Sequence, residues 1–215
     1  MKKQIATISE NLGPWFEKHS LPRMQDAAER WGAELSVVTP EQRMGVLGQM
    51  LMSDIARQAD RTLYVDADCL ISREAPNPFM EFPIGNLYAA MDSKPGDQFC
   101  FHRAGDMISI QAILGPIKWG AGYFNAGVVL CDRQHAGAWA DFCLLPLAFQ
   151  GQTFINYRAR KLNYRLVELP RAWNAMEINT PEGKQHWEEA HIVHAAGIYD
   201  QRREEWMEKV GGILP

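Results

Sequence analysis

Two carboxylates one residue apart are the side chains of this sequence best suited to chemistry. Asp66 and Asp68 end an apolar run within the segment Arg61–Ile71. Side chains alternate along an extended backbone, so both carboxylates are predicted to point the same way. Such a pair suits a hard divalent cation, which commonly accompanies a phosphate-bearing substrate. A solvated strand end or a helix cap would carry the same residues, so the rest of the chain must decide.

Strand-like and helix-like patterns alternate around this pair, which predicts an α/β domain with a largely parallel sheet. The predicted strands cover residues 4–9, 34–39, 61–71, 87–91, 125–130, 165–169 and 191–195. The predicted helices cover residues 14–31 with an interruption at Pro22, 41–59, 139–145, 152–161 and a terminal stretch from 200. Residues 93–122 show no clear period and are predicted to be mainly loop with short elements.

Four residues with metal-binding or acid–base chemistry fall at or near the ends of predicted strands. They are Asp66, Asp68, Asp92 and His194. Ligands of open α/β sheets lie beyond the carboxyl ends of the strands. We therefore expect these side chains at one edge of the sheet, although a histidine at a strand end is also a common structural residue.

Length and composition limit the class of protein. A chain of 215 residues with 47% hydrophobic residues can form one domain, predicted over residues 1–215. The formal net charge of −4 gives no overall basic field for nucleic acid or membrane. No apolar run reaches the ~18 residues of a membrane span, so a soluble, cytoplasmic protein is expected. The four cysteines are widely spaced and are predicted to be reduced thiols.

Further motifs follow the acidic pair in a fixed order. They are Tyr123–Leu130 with the letters F-N-A-G, Gln152–Asn156, Leu169–Asn174 with L-P-x-x-W-N, and Ile192–Gly197 with a histidine and a late glycine. Together with the D-x-D pair this order resembles the nucleotide-sugar glycosyltransferases of the GT-A fold, most closely glycosyltransferase family 8. The resemblance implies a single-domain, Rossmann-like α/β fold with a mixed, mostly parallel sheet flanked by helices.

The resemblance also implies roles for particular residues. Asp66, Asp68 and His194 would bind Mn²⁺ or Mg²⁺, and Gln152 and Asn125 would act at the reacting sugar. The donor would contact residues spread along the chain: Thr7, Ser9, Asp66, Ala67, Asp92, Asn125, Gly127, Gly197 and Arg202. Gly127 would leave room for the sugar ring. Asn125 is otherwise explained as a turn residue before a core strand, and Gln152 as a helix-start residue.

Two positions depart from the pattern of the family. Gly151 stands where an aspartate normally precedes the glutamine, so the sugar hydroxyls or the acceptor must be handled differently. Asp200 and Gln201 replace a lysine and proline, which removes the usual phosphate-binding lysine. Arg202 or Arg203 is expected to take over that task, because a guanidinium binds phosphate bidentately.

The resemblance implies a hexosyltransferase-like enzyme that moves a sugar from a nucleotide-diphosphate donor, UDP-linked, with retention at the anomeric carbon. A front-face displacement is expected, since the sequence identifies no carboxylate nucleophile beside Gln152. Two alternatives stay open. Tyr64–Leu70 also resembles the D-x-D strand of Mg²⁺-dependent phosphatases of the haloacid-dehalogenase type, and Gly151 with the absent lysine is compatible with a weakly active nucleotide-sugar-binding module.

The sequence leaves the acceptor hydroxyl and the oligomeric state undetermined. A saccharide, a protein side chain or a hydroxymethylated DNA base would each fit. Cations and tyrosines interleave over residues 156–165, a pattern that suits nucleic acid but is more common on a solvated helix face. Nucleic acid is therefore not the favoured partner.

Overall fold

The computed structural model describes residues 1–10, 12–40, 48, 50–93, 100–120, 122–143, 145–176, 187–198 and 201–215. Within these ranges the strands are β1 (Lys3–Ile8), β2 (Glu34–Val38), β3 (Arg61–Val65), β4 (Cys69–Ile71), β5 (Leu87–Ser93), β6 (Tyr123–Asp132), β7 (Leu166–Glu168), β8 (Ala175–Met176) and β9 (Ile192–His194). The α-helices are α1 (Leu21–Trp31), α2 (Leu51–Arg57), α3 (Pro78–Glu81), α4 (Cys100–Leu114), α5 (Gln150–Lys161) and α6 (Gln201–Gly211).

The larger sheet has the strand order β2-β1-β3-β6-β5-β7. β1 pairs in parallel with β2 and β3, and β5 pairs in parallel with β7. Of these six strands, β6 runs in the opposite direction, antiparallel to β3 and β5. Its first residues therefore lie beside the last residues of β3 and β5. This arrangement confirms the predicted mixed, mostly parallel sheet and brings three of the predicted motifs to one edge.

A smaller sheet of β4, β9 and β8 adjoins that edge. The antiparallel register of β4 and β9 pairs Cys69 with His194, and β8 lies parallel to β9 on its other side. The turn between β3 and β4 carries the chain from the larger sheet into the smaller one. The acidic pair lies in this turn, so the late histidine reaches it through the pairing of β4 with β9.

The prediction that residues 93–122 are mainly loop is wrong for α4. The two charged side chains described in this helix, Arg103 and Asp106, are buried, whereas Ile108 and Ile113 are 69% and 50% exposed. This reverses the usual arrangement of a surface helix, in which polar residues face solvent. Sequence periodicity missed the helix because its polar residues point inward to make specific contacts.

The predicted helix over residues 139–145 is also wrong. A short 3₁₀ helix covers Arg133–Ala138 instead, directly after β6. Trp139 and Phe142 are buried without forming a helix, and Asp141 adopts a left-handed backbone conformation with φ of 58°. Such a conformation cannot continue a right-handed helix.

The predicted strand over residues 61–71 is broken, because β3 ends at Val65 and β4 begins at Cys69 in the other sheet. The other element predictions agree with the structure within a few residues where it describes them. Pro22, the predicted interruption, lies in the first turn of α1, where the missing N–H costs no helical hydrogen bond. It follows a π-helical turn, Phe16–Ser20. In the predicted helix 41–59, α2 is confirmed, whereas residues 41–47 and 49 lie outside the described residues. None of the described helices is long and apolar enough to cross a membrane.

Arg23 of α1 fastens the C-terminal segment to the smaller sheet. Its guanidinium donates to the carbonyl oxygens of Ile71, Gly211, Leu214 and Pro215 at 2.8–3.3 Å. Hydrogen bonds from a charged donor are stronger than neutral ones. Because Ile71 ends β4 and Gly211 ends α6, this side chain fixes α6 relative to the strand that leaves the acidic turn.

We expect Arg23→Met to lower the free energy of unfolding by about 1–3 kcal/mol, since it leaves carbonyl groups without their charged donor. Denaturant unfolding measures the change. The matched control is Arg57→Met, which removes an exposed pair with Asp54 and should cost no more than about 0.5 kcal/mol. Equal effects of the two substitutions would show that the hydrogen bonds of Arg23 add nothing to stability.

Candidate functional site

The acidic pair lies in a tight turn rather than on an extended strand. β3 ends at Val65, and Cys69 N–H donates to the carbonyl of Asp66 at 3.1 Å, which closes the turn. Asp66 N–H donates to the carbonyl of Gly127 in β6 at 2.7 Å. The two carboxylates therefore converge through the turn, and strand alternation is the wrong reason for their proximity. Ala67, the predicted donor-binding residue between them, is largely buried.

His194 lies against both carboxylates, as the sequence motifs implied. Its Nε2 is 3.3 Å from Asp68 Oδ1 and 3.7 Å from Asp66 Oδ2. Ala195 N–H donates to the carbonyl of Asp68 at 3.0 Å, which ties the end of β9 to the acidic turn. The three predicted metal ligands, distant by as many as 128 residues in sequence, form one cluster.

Cys69 is a fourth potential ligand that the sequence reasoning did not consider. Ligand atoms of Asp68, Cys69 and His194 lie within 4.8 Å of one another. Burial, followed by the charges of Asp68 and Asp66, raises the pKa of the Cys69 thiol well above its usual value. A thiol that keeps its proton is a poor ligand. The carboxylates and the imidazole are therefore the more suitable ligands, and this donor set fits a divalent cation.

Opposite charges balance within the cluster. Burial lowers the pKa of the His194 imidazole, but Asp68 and Asp66 outweigh burial and hold that pKa above its usual value. Burial raises the pKa of the Asp68 carboxyl, but His194 and Arg203 outweigh it and hold that pKa below the usual range. The imidazole of His194 and the guanidinium of Arg203 thus lie where they offset the negative charge of the acids.

The absence of a side chain at Gly127 leaves the space that the His194 imidazole occupies. A Cβ atom at residue 127 would lie 2.2 Å from His194 Cε1 and 2.7 Å from Asp66 Oδ2, far inside van der Waals contact. The space that the missing side chain leaves is filled by the imidazole and a carboxylate. Room for a sugar ring at this position stays a prediction.

Gln152 and Asn125 lie next to each other at the start of α5 and β6. Asn125 Nδ2 donates to Gln152 Oε1 at 3.1 Å, and Gln152 Nε2 donates to Asp92 Oδ2 at 2.9 Å. The Asp92 carboxylate therefore lies beside Gln152, where the sequence had identified no carboxylate nucleophile. Arg103 donates to the same Asp92 oxygen through Nε and a terminal nitrogen at 2.9 and 2.7 Å.

Arg103 is a site residue that sequence reasoning missed. It comes from α4 and is largely buried, with its guanidinium carbon 3.7 Å from the centre of the Phe149 ring. Asp106, one turn later, accepts hydrogen bonds from the backbone N–H groups of Ala148 and Phe149. α4 thus fixes both Asp92 and the segment that leads into Gln152. An isolated arginine in a segment without clear periodicity gave no signal in the sequence.

Asn174 connects the two halves of the site. Its Oδ1 lies 3.0 Å from His194 Nδ1, and its Nδ2 donates to Asn125 Oδ1 at 2.9 Å. Asn156, by contrast, has a structural role, because its side chain bonds both the N–H and the carbonyl of Phe124 and so fixes α5 against β6.

The other predicted donor-binding residues occupy varied positions. Thr7 is completely buried at the end of β1, and its hydroxyl has no hydrogen-bond partner among the described residues. Ser9 shares a hydrogen bond with Thr39. Gly197 is exposed and has a positive φ of 79°, so it turns the chain just after His194.

Of the two arginines considered for the missing lysine, Arg203 is the one that reaches the cluster. Its terminal nitrogen lies 3.3 Å from Asp68 Oδ2, and its guanidinium stacks over Trp15 with 5.2 Å to the ring centre. Arg202 is exposed to solvent. Trp15 itself is largely buried as part of the core.

The cations within residues 156–165 have mainly structural contacts. Arg160 donates to the carbonyl oxygens of Trp119 and Gly122, and burial lowers its pKa to about 10. Arg158 pairs with Asp141 at 3.0 Å. Both guanidinium groups are therefore engaged in contacts within the protein.

No protein-family model matches the sequence, and neither does any curated protein. Solved structures do match. A glycosyltransferase involved in the glycosylation of the major capsid of PBCV-1 has a TM-score of 0.65 at 14% identity, covering 97% of this chain and 100% of that one. The galactosyltransferase LgtC, solved with donor and acceptor sugar analogues, has a TM-score of 0.62 at 14% identity, covering 98% and 96%.

A third match, the bifunctional glycosyltransferase WbbM, has a TM-score of 0.59 at 11% identity and covers 100% of this chain but 50% of the other. At such low identity these likenesses establish the fold. The chain has the mixed α/β fold of GT-A glycosyltransferases, and the predicted fold class is confirmed.

We expect Gly127→Ala to displace His194, because the backbone at this position accepts alanine but the added methyl overlaps the imidazole. Overpacking of this kind costs about 1–3 kcal/mol of unfolding free energy. Thermal or denaturant unfolding measures the loss.

Gly105→Ala in α4 is the matched control, since no atom lies within 4 Å of its Cβ position. In a helix this change should be neutral or stabilise by up to about 1 kcal/mol. If Gly127→Ala lowered the free energy of unfolding no more than the control does, β6 would not approach His194 as closely as described.

Proposed function

We propose that this protein is a metal-dependent glycosyltransferase that moves a sugar from a nucleotide-diphosphate donor, UDP-linked, to an acceptor hydroxyl with retention of anomeric configuration. One observation carries the proposal. Asp66, Asp68 and His194 form a single cluster at the carboxyl end of the sheet, within a fold shared with glycosyltransferases.

Asp68, His194 and Asp66 would hold Mn²⁺ or Mg²⁺. When bound, such an ion acts as a Lewis acid that stabilises the negative charge of a departing diphosphate. Two hard oxygen donors and one imidazole agree with this choice of ion. The close fit of His194 against Gly127 supports a preformed site, since the ligand side chains need little rearrangement.

Arg203 is proposed to bind the diphosphate in place of the missing lysine, a task for which the sequence had also suggested Arg202. Its guanidinium already lies beside Asp68, within the cluster that would face the phosphates. A guanidinium binds phosphate oxygens through a planar pair of N–H groups. The exposed turn at Gly197 lies between His194 and α6 in sequence, and the donor is proposed to approach there.

On the sugar side, Gln152 and Asn125 are proposed to position and polarise the reacting groups. Support comes from their direct hydrogen bond and from an LgtC structure described as an active-site glutamine-to-glutamate mutant. Asp92 lies next to Gln152, but its Oδ2 accepts hydrogen bonds from both Arg103 and Gln152. Such bonds weaken a carboxylate as a nucleophile, so front-face displacement by the acceptor remains the proposed mechanism.

The phosphatase alternative has less support. It would make Asp66 the nucleophile, yet Asp66 Oδ1 accepts a 2.5 Å hydrogen bond from the Tyr64 hydroxyl. The acceptor is proposed to be a saccharide, a protein side chain or another hydroxylated molecule. A catalytically weak nucleotide-sugar-binding module would differ from the enzyme in that it binds the donor but turns it over little.

A thermal-shift screen of nucleotide sugars with Mn²⁺ tests the proposal. A donor at 100 times its Kd should stabilise the native state by about 2.7 kcal/mol and raise the Tm only when the metal is present. Asp68→Ala should abolish this shift. Asp54→Ala, which changes an exposed acid on α2, should leave it intact.

Slow metal-dependent hydrolysis of the stabilising donor would identify the transferase. Release of phosphate from phosphomonoesters without any response to nucleotide sugars would favour the phosphatase. A donor-dependent shift that survives both Asp68→Ala and chelation would remove the metal from the mechanism.

Mn²⁺ binding should also depend on pH. Asp68 and Asp66 hold the pKa of His194 above its usual value, so the imidazole keeps its Nε2 proton to a higher pH than an ordinary histidine, and a cation must displace that proton. Affinity should therefore fall as the pH is lowered, by up to about tenfold per pH unit for one displaced proton.

Calorimetry in two buffers of different ionisation enthalpy measures the released proton. His19→Gln is the control, since His19 lies in the turn before α1 and should leave the release unchanged. Mn²⁺ binding without proton release would contradict the assignment of His194 as a ligand.

A further inference from the structure

A buried chain of side-chain amides joins His194 to Asp92. It runs from His194 Nδ1 through Asn174, Asn125 and Gln152 to the Asp92 carboxylate, with successive distances of 3.0, 2.9, 3.1 and 2.9 Å. Asn174 and Asn125 are 3% and 7% exposed. Each amide has one donor end and one acceptor end, so the orientation of one amide determines that of the next.

Two backbone N–H groups of β6 set this orientation. Gly127 N–H donates to Asn125 Oδ1 at 2.8 Å, and Ala126 N–H donates to Gln152 Oε1 at 3.1 Å. A backbone N–H can only donate, so the side-chain atoms that receive these bonds must be oxygens. The backbone of β6 therefore determines which end of the Asn125 and Gln152 amides is the oxygen.

The consequence reaches the imidazole. Because Asn125 Oδ1 is an acceptor, Asn174 must turn its Nδ2 toward it, which leaves Asn174 Oδ1 facing His194. An oxygen at that place requires the proton on Nδ1 of the ring. Nε2 is then the nitrogen whose lone pair is available to a cation, and it is the nitrogen that faces Asp68 and Asp66.

We propose that Asn174 is a positioning residue: the backbone N–H groups of β6 orient its amide, and its Oδ1 accepts the hydrogen bond from His194 Nδ1. The Nε2 lone pair is thereby kept on the side of Asp66 and Asp68, where a cation would bind. The proposal rests on the proposed function only in taking a divalent cation as the ligand of that lone pair. The same chain of amides directs the Gln152 amide nitrogen toward Asp92. The backbone N–H groups of β6 therefore orient both the imidazole of His194 and the amide of Gln152.

Without an acceptor at Nδ1, the two acids facing Nε2 would draw the proton of the neutral ring to that nitrogen and block the lone pair that a cation needs. An acceptor that binds the second nitrogen of a metal-ligating histidine fixes the ring and raises metal affinity, and loss of such a partner typically costs 10–100-fold. Asn174 meets that description because its Oδ1 lies 3.0 Å from His194 Nδ1. The 3₁₀ helix Arg171–Asn174 and the pairing of β8 with β9 hold the amide at that place.

The test is nitrogen-15 NMR of the histidine side chains in the metal-free protein across its pH range of stability, with His194→Gln to assign the signal. In the unsubstituted protein, Nδ1 of His194 should stay protonated throughout while only Nε2 exchanges its proton. In Asn174→Ala nothing accepts the Nδ1 proton while Asp68 and Asp66 still face Nε2, so the proton of the neutral ring should move to Nε2. Mn²⁺ affinity, measured by electron paramagnetic resonance of the free ion, should then fall about 10–100-fold.

Asn174→Asp is the conservative variant, because its carboxylate still accepts from Nδ1 although it cannot donate to Asn125. It should keep the Nδ1 proton and hold Mn²⁺ more tightly than Asn174→Ala. Asn86→Ala removes an equally buried amide that bonds Tyr88 and should change neither readout. This variant controls for general loss of packing, and circular dichroism checks that each variant folds.

A titrating Nδ1 in the unsubstituted protein, or an Asn174→Ala variant with the original Nδ1 signal and Mn²⁺ affinity, would overturn the proposal. The proposed function fails separately. If the unsubstituted protein binds no Mn²⁺ or nucleotide sugar, the metal assignment is lost, while the NMR result still decides whether Asn174 fixes the ring.

Discussion

The candidate site depends on how closely strand β6 approaches the imidazole of His194. That approach is possible only because residue 127 has no side chain: a Cβ atom there would overlap both the ring and Asp66. The same stretch of backbone binds Asp66 through a carbonyl and orients Asn125 through an N–H. The backbone at Gly127 thus leaves space for the imidazole, accepts a hydrogen bond from Asp66 and orients the Asn125 amide. The ligand cluster and the amide chain therefore depend on the same short part of β6.

The cluster also marks the junction of two sheets. The acidic turn joins β3 of the larger sheet to β4 of the smaller one, and the pairing of β4 with β9 carries His194 to it. Like charges close to one another repel, so a partly buried turn with two carboxylates needs compensating positive charge. His194 and Arg203 provide positive charge from two different elements, and Arg23 fixes the end of the helix that bears Arg203. Electrostatic balance and chain connectivity therefore support the same geometry.

α4 shows how a helix can serve the interior rather than the surface. Its arginine and aspartate turn inward, where Arg103 neutralises Asp92 and Asp106 binds the backbone before α5. A buried carboxylate without such a partner would be costly. The pair makes it possible for Asp92 to lie beside Gln152 as a fixed acceptor of hydrogen bonds, although Gly151 replaces the aspartate usual in the resembled family.

Residue types and their order determined much of this protein without coordinates. Alternation of strand and helix patterns, and the order of the motifs around Asp66, Asn125, Gln152 and His194, predicted the fold class and the residues of the cluster, because burial periodicity and motif spacing are local properties of a chain. The structure alone decided that the acids converge through a turn, that Arg103 and Asp92 meet beside Gln152, and that Asn174 faces His194. The contacts of Arg103, Asn174 and Gln152 join residues 11 to 60 positions apart through strand register and helix packing. No local pattern in the sequence records which side chains that packing will bring together.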